Sequence, residues 1–398
     1  MQDIGLANAR DIPKMLRWNE KYGIKFMRLS SEMFPFASHP EHGYSLTPFA
    51  KEVLADAGKV ATELGHRLTT HPGQVYLAFS CFFKPNDLTI IQFTQLGSPR
   101  KEVITAAVRD LEYHDEMLSL LKLSPQQNRD AVMILHMGGT YGDKMATLDR
   151  FRTNYSSLLS DSIKLRLVLE NDDVAWSVHD LLPICEELNI PLVLDYHHHN
   201  IIFDADKCRE GTYDISQPEI MERISATWKR KGITQKMHYS EPCAGATTPR
   251  DRRKHSARVM TLPPCPPDSD LMIEAKDKEQ AVFELMKNFK LPGYDRINDV
   301  VPYERLDENR PPPPDKNKKV KTPRKKSKAA DNGEDQNGAS GDGVDLIESS
   351  ARKQLEISAE DFAMGGPSSR VYWPVGMEDW LRPKKREKKT TINEGTKM

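Results

Sequence analysis

Eight side chains able to bind a metal ion fall where short apolar runs end. The segments are PFASHP at His39, RLTTHPGQ at His71, VMILHMGG at His136, RLVLEND at Glu170, PLVLDYHHH at Asp195 and His198, QKMHYSE at His238 and DLMIEAKDKEQ at Glu274. A lone histidine near a strand is more often packed or solvated than ligating. What singles out this set is its recurrence at successive strand ends, because a closed parallel barrel gathers such residues at one rim, where barrel enzymes do their chemistry. An all-imidazole and carboxylate set with no thiolate suits manganese or zinc and disfavours an iron–sulfur site. The chemistry this points to is hydrolysis at a metal cluster.

Something must hold those residues in place. Strands are expected at Lys25–Leu29, Arg67–Thr70, Val132–Leu135, Leu165–Leu169, Leu192–Leu194, Gln235–Met237 and Leu271–Ile273. Helices are expected between them, at Ile12–Tyr22, Lys51–Leu64, Glu102–Leu121, Leu148–Leu159, Val178–Leu188, Pro218–Trp228 and Lys278–Phe289. In the last of these, Ala281, Leu285, Met286 and Phe289 recur at helical spacing. Strand–helix alternation predicts an α/β fold, a parallel TIM-type barrel with helices outside. Seven strands are counted where a closed barrel has eight, so the first strand is expected to be missing, which would leave unpaired edges.

The barrel is expected over residues 1–294, a Pro/Lys/Gly-rich linker over 295–370 and a short aromatic and basic motif over 371–398. PPPP at Pro311–Pro314, KNKKVKTPRKKSK and the Gly/Asp/Asn/Ser stretch to about Asp345 cannot bury a core, so the C-terminal tail is read as disordered. The net charge of −1 predicts no partner by itself, but the basic residues of the tail are clustered. The five cysteines form no CxxC pair and read as reduced thiols of an intracellular protein. No secretory signal is read at the start and no apolar run reaches membrane-spanning length, so no membrane partner is expected.

HPGQ, HMGGTYGDK, LENDD, DYHHHN and IEAKDKEQ, in this order, resemble the UV-damage endonuclease family over roughly residues 12–294. That family is a barrel group of the endonuclease IV and xylose-isomerase-like type, and the fungal-type members fit best. The resemblance implies ATP-independent incision of double-stranded DNA immediately 5′ to cyclobutane dimers and 6–4 photoproducts, at a manganese-dependent cluster, starting excision repair. It also implies that a Gln followed by an aromatic residue just after HPG probes the gap left by the dimer.

Phosphodiester hydrolysis needs an activated water and positive charge to balance the phosphate oxygens, and closely spaced divalent ions do both. Two or three Mn²⁺ ions are expected, with Zn²⁺ or Mg²⁺ as substitutes. Glu170, mid-rim, is read as the bridging carboxylate, with Asp195, His238 and Glu274 completing one site around it. His136 joins Glu170 at a second site, and His39 and His71 furnish a third. His198 is a further ligand or a phosphate contact. Lys236, two residues before His238, shares its strand face and would neutralise phosphate or tune a metal. Glu170, Lys236 and His198 are thus the catalytic candidates. Asp173 is read as a helix cap, and His197 and His199 as surface residues. Lys144, Arg250–Arg253, Lys254, His255 and Lys276 are candidate DNA contacts that position without reading sequence. A poorly stacked dimer costs less to extrude than normal bases, which fits recognition by flipping.

Two departures from the family pattern stand out. The pattern runs almost directly from Gln74 to Phe93, whereas here the 18 residues Val75–Gln92 intervene, apolar around Val75–Phe79, Phe82 and Phe83. They read as a translated intron, since Val codons begin GT, Gln can be CAG and Leu88-Thr89 can encode a branch-like element. The alternative is a lineage-specific insertion acting as an apolar wedge. The probing aromatic is accordingly Phe93 if the insert is discounted and Tyr76 if it is not. Family members also begin with a strand of the LGY type, and here Met1 falls after it, as in a truncated gene model. KKVKTPRKKSK and RPKKREKK resemble nuclear import signals, so a nuclear address is expected, with a mitochondrial pool possible in the family and a monomer as the working state. The readings kept open beside this one are an abasic-site endonuclease, another metal-dependent barrel enzyme such as a sugar isomerase, and a damaged-DNA-binding protein without catalysis.

Overall fold

The computed structural model describes residues 1–73, 94–209, 211–243 and 245–297. Seven short strands form its centre: β1 (Phe26–Leu29), β2 (Arg67–Thr70), β3 (Met133–His136), β4 (Leu167–Glu170), β5 (Leu192–Asp195), β6 (Lys236–Tyr239) and β7 (Asp270–Ile273). Every neighbouring pair runs parallel in chain order, giving a nearly closed barrel. β4, β5 and β6 are buried along their whole length, as strands covered on both faces should be.

Seven longer helices wrap the sheet: α1 (Gln2–Lys21), α2 (Thr47–Glu63), α3 (Lys101–Leu120), α4 (Lys144–Leu158), α5 (Val178–Leu188), α6 (Pro218–Lys231) and α7 (Glu279–Phe289). In α1 the buried residues Gly5, Ala9, Ile12, Leu16 and Asn19 recur every three or four positions, one face of a helix. α2 crosses α3 so closely that a Cβ on Gly58 would stand 1.7 Å from the carbonyl oxygen of Leu121. α5 starts at Ser177, whose side chain accepts from Asp180 N while the Asp180 carboxylate accepts from Ser177 N, a capping box. Asp173, expected as a cap, is therefore not one. The neighbouring Asp172 turns the loop instead, its Oδ1 accepting the N–H groups of Val174, Ala175 and Trp176.

Strand β1 and strand β7 stand at the two ends of the sheet, and no β1–β7 ladder occurs among the described residues. Charge spans the seam at both levels. At the N-terminal ends of the strands, Arg67 Nε donates to both Asp270 oxygens (2.9 and 2.8 Å), and Lys236 Nζ donates to Asp270 Oδ2 (3.1 Å). At the C-terminal rim, Arg28 meets Glu274 Oε1 at 2.7 Å. The barrel domain runs slightly past the expected boundary at residue 294: Ile297, in the turn Tyr294–Ile297, is buried against Tyr22, Phe283 and Met286 because an apolar side chain there completes a small satellite core. The insert 75–92, nearly all of the linker and the motif 371–398 lie outside the described residues.

Candidate active site

Register builds the rim. In the β3–β4 pair His136 stands opposite Glu170, and in the β5–β6 pair Asp195 stands opposite His238; Glu170 itself stands opposite Val193, so Asp195 and His238 lie two residues further along the ladder. His71 follows β2 directly, and His198 lies in the single helical turn Tyr196–His199 that begins where β5 ends. Asp195 Oδ1 accepts from His198 N (2.8 Å), which folds that turn back over the barrel mouth.

Glu170 is the hub. Its Oε1 accepts from His238 Nδ1 at 2.7 Å and faces His198 Nδ1 at 3.6 Å, while Oε2 lies 3.2 Å from His71 Nε2 and 3.6 Å from His136 Nε2. Burial alone would raise this carboxyl, but the His238 and His136 imidazoles, with hydrogen bonds from His238 and His71, hold it well below the usual carboxylate range. Burial pushes His71 down to about 4, so its ring is neutral near pH 7 and carries a free lone pair. Glu274 is also held low, the Arg28 guanidinium overcoming the effect of burial, whereas burial raises Asp195.

Hydrogen bonds settle two tautomers. Arg28 Nη2 lies 3.0 Å from His238 Nε2, and a guanidinium can only donate, so Nε2 accepts and the proton sits on Nδ1 toward Glu170. Asn171 O, 2.9 Å from His198 Nδ1, can only accept, so Nδ1 carries a proton and Nε2 is the nitrogen available to a metal. Burial would lower His198, yet Asp195 and Glu170 raise it to about 9, so a proton has to leave Nε2 before that nitrogen can bind an ion.

Two triads place their ligand atoms within 4.8 Å of one another, His71–His136–Glu170 and Glu170–Asp195–His238, with Glu170 in both. Asp195 Oδ2 is buried with no hydrogen-bond partner, an orphaned acceptor that an ion would satisfy, and His71 Nδ1 and His136 Nδ1, the ring nitrogens not facing Glu170, are unpartnered too. The cluster opens into a cavity of about 310 Å³ lined by Arg28, His71, His136, Asp172, His198 and Glu274. Gly138, also at its wall, adopts φ +87°, and a Cβ there would strike the Gln95 side chain at 2.7 Å.

Comparison with known proteins decides the family. The UV-endonuclease UvdE family pattern matches residues 1–81 and 83–305. The chain belongs to that family. A UV-damage endonuclease of Neurospora crassa is 67% identical over 98% of this chain, and one of Schizosaccharomyces pombe is 51% identical over 75%. The chain spans about half the length of these relatives, 56% and 48% respectively. The crystal structure of SacUVDE superposes with a TM-score of 0.56 at 26% identity, covering 70% of this chain and 84% of that one. The fungal relatives place the chain among fungal-type UvdE proteins, and SacUVDE shares its barrel.

Of the eight expected ligands, the UvdE barrel gathers seven. His39 stands apart. It follows β1 by ten residues, in a loop where its Nδ1 accepts from Glu41 N and His42 N, both at 3.1 Å, and its ring stacks on His42. PFASHP is therefore a series of turns and not a strand end. Lys236 is fully buried, but its ammonium points to Asp270 and to Thr234 O at the barrel floor, away from the cluster. His197 and His199, expected at the surface, are buried because the turn Tyr196–His199 packs down onto β5 and β6. His255 lies at the rim, its Nδ1 donating to Glu274 O at 2.7 Å and its ring 4.9 Å from that of His197. Lys144 is engaged with Asp180 (2.7 Å), Arg253 Nε donates to Asp173 O, and Lys276 is exposed. Gln74, Tyr76 and Phe93 lie outside the described residues. Sequence reasoning missed Arg28, which looks like an ordinary strand charge, and Asn171, whose signal was its place in LENDD. The Asn171 side chain donates to Asp195 O and accepts from Asp195 N (both 2.9 Å), tying β4 to β5 beneath the ligands. The four described cysteines outside the insert, Cys185, Cys208, Cys243 and Cys265, are free thiols.

Proposed function

We propose that this UvdE-family chain is a DNA repair endonuclease that nicks duplex DNA immediately 5′ to UV photoproducts, cyclobutane dimers and 6–4 photoproducts, without ATP, to start excision repair. The observation that carries the reading is one buried carboxylate, Glu170, shared by imidazoles from four elements at the mouth of a cavity. The nitrogen and oxygen donor set, free of thiolate, and the orphaned polar atoms fit two or three divalent ions, Mn²⁺ first and Zn²⁺ or Mg²⁺ as substitutes. Such ions would supply Lewis acidity and an acidified water. His71, His136 and Glu170 would hold one ion, and Glu170, Asp195, His238 and Glu274 another, with His198 Nε2 directed by Asn171.

The chain does the rest. Glu170, ionised despite its burial, is a fixed anion about which the cationic groups arrange. The glycines at the cavity wall leave space for a backbone phosphate, and His255 and Lys276 border the same rim. Gln74, with Phe93 or Tyr76, would probe the lesion after extrusion of the dimer. A nuclear address read by the basic tail and a monomer acting alone complete the proposal.

The test is incision of a labelled duplex with one cyclobutane dimer, in Mn²⁺ and in EDTA, beside an abasic duplex. A metal-dependent nick 5′ to the dimer that Glu170→Gln abolishes supports the proposal. Preference for the abasic duplex would favour the abasic-site reading, and tight binding of the dimer duplex without a nick would favour the binding protein.

A further inference from the structure

Arg28 is a cation planted among the ligands, and its bonds conflict with theirs. Its guanidinium donates to Glu274 Oε1 (2.7 Å) and to His238 Nε2 (3.0 Å), with the side chain about one-fifth exposed. An imidazole nitrogen has one lone pair, so Nε2 cannot accept from Arg28 and bind an ion together. Nδ1 is no alternative without loss, since its proton is given to Glu170. The guanidinium does not deprotonate in proteins, so its charge opposes a divalent ion a few ångströms away.

Two further observations show that the bonding of Arg28 is unfinished. Its Nε is buried without a hydrogen-bond partner. The side chain also lines a cavity on each side: the cluster cavity, and a larger one of about 440 Å³ against α1 that is walled by Asn8, Asp11, Ser31 and Glu32. It therefore has space to move and acidic groups to move past.

We infer that Arg28 competes with a divalent cation for Glu274 and His238, and that once displaced it becomes a ligand of the DNA phosphate at the cavity mouth. Guanidinium suits that second role, since its planar fork matches two phosphate oxygens. The inference rests on the metal-site reading above. It explains how the carboxylate and imidazole stay ordered before an ion arrives, and it makes ion binding and phosphate binding support each other.

The experiment is Mn²⁺ titration of the full chain, free ion being followed by electron paramagnetic resonance, with the binding step at issue defined as the one Glu274→Gln removes. Arg28→Gln is expected to tighten that step about tenfold, because a competing charge is gone, while weakening affinity for a dimer-containing duplex. Arg28→Lys, which keeps the charge but loses the fork, should tighten it less and should also weaken DNA binding. Folding of each variant is verified by its urea transition. Unchanged or weaker Mn²⁺ binding in whichever variant folds overturns the competition, and so does undiminished DNA affinity for the second role. Absence of Mn²⁺ binding by the unsubstituted chain would sink the metal reading itself, and this inference with it.

Discussion

At the scale of single residues, the site is a problem of holding like charges together. Glu170, Asp195 and Glu274 interact electrostatically, and the imidazoles and Arg28 keep that arrangement tolerable. Such a cluster depends on what orients its members, and Asn171 is the clearest case. It fixes the backbone of Asp195 through two hydrogen bonds and the ring of His198 through its own carbonyl. Groups of this kind cost roughly 10–100-fold in metal affinity or activity when removed. Asn171→Ala should therefore weaken Mn²⁺ binding within that range while the unfolding transition stays cooperative. Calorimetric titration checks it, and wild-type affinity would show that Asp195 needs no such support. That seven of the eight residues expected as ligands gather at the rim was legible because each stands at or just after the end of an apolar run. His39 shares that appearance in the sequence, yet its neighbours form turns whose N–H groups its ring accepts, and only local backbone geometry reveals it. Arg28 was illegible for the opposite reason: its partner His238 is 210 residues away, and a lone charge in FMRL carries no sign of burial.

At the scale of elements, the strand pattern was readable and the seam was not. Strand positions agree with expectation to within two residues at either end, because β-branched and aliphatic runs between helices have few other places to go. Nothing local, however, marks Arg67, Lys236 and Asp270 as a unit, since they come from three strands and meet only when β7 returns to the first part of the sheet. Burial lowers the affinity of Lys236 for its proton, and Asp270 works against that effect. Removing one partner of a buried ion pair costs about 3–5 kcal/mol, because the other charge is left without compensation. Asp270→Ala is expected to destabilise the chain by that amount in urea unfolding. The triple variant Arg67→Met/Lys236→Met/Asp270→Leu should recover much of the loss, since apolar replacement of a whole buried ion cluster is often neutral. A loss under about 1 kcal/mol would mean that the seam holds without the charges. The prediction bears on function, because Lys236 and His238 share a strand, so slackening the floor loosens the rim.

At the scale of the whole molecule, a nearly neutral total conceals basic clusters within the tail. The net charge of −1 gives no general attraction to DNA. The basic side chains at the rim are partly committed, Lys144 to Asp180 and Arg253 to Asp173. Non-specific affinity must then come largely from elsewhere, and residues 316–328 carry eight lysines and arginines in thirteen positions. Each phosphate that a protein neutralises adds about 0.9 to the slope of log affinity against log salt. Replacing those eight residues by glutamine in the full chain should flatten that slope by about 0.9 for every phosphate left unneutralised and weaken binding to damaged and undamaged duplex alike. Lesion preference is expected to survive, because the residues proposed to probe the lesion lie outside the tail in the sequence. The rate of nicking at saturating DNA should also be unchanged, since no ligand is touched. Binding isotherms at several salt concentrations, on matched duplexes with and without a dimer, give the slope and the preference, and single-turnover incision gives the rate. A fall in lesion preference would show instead that the tail takes part in recognition, and the division of labour between a lesion-reading barrel and a tethering tail would have to be abandoned.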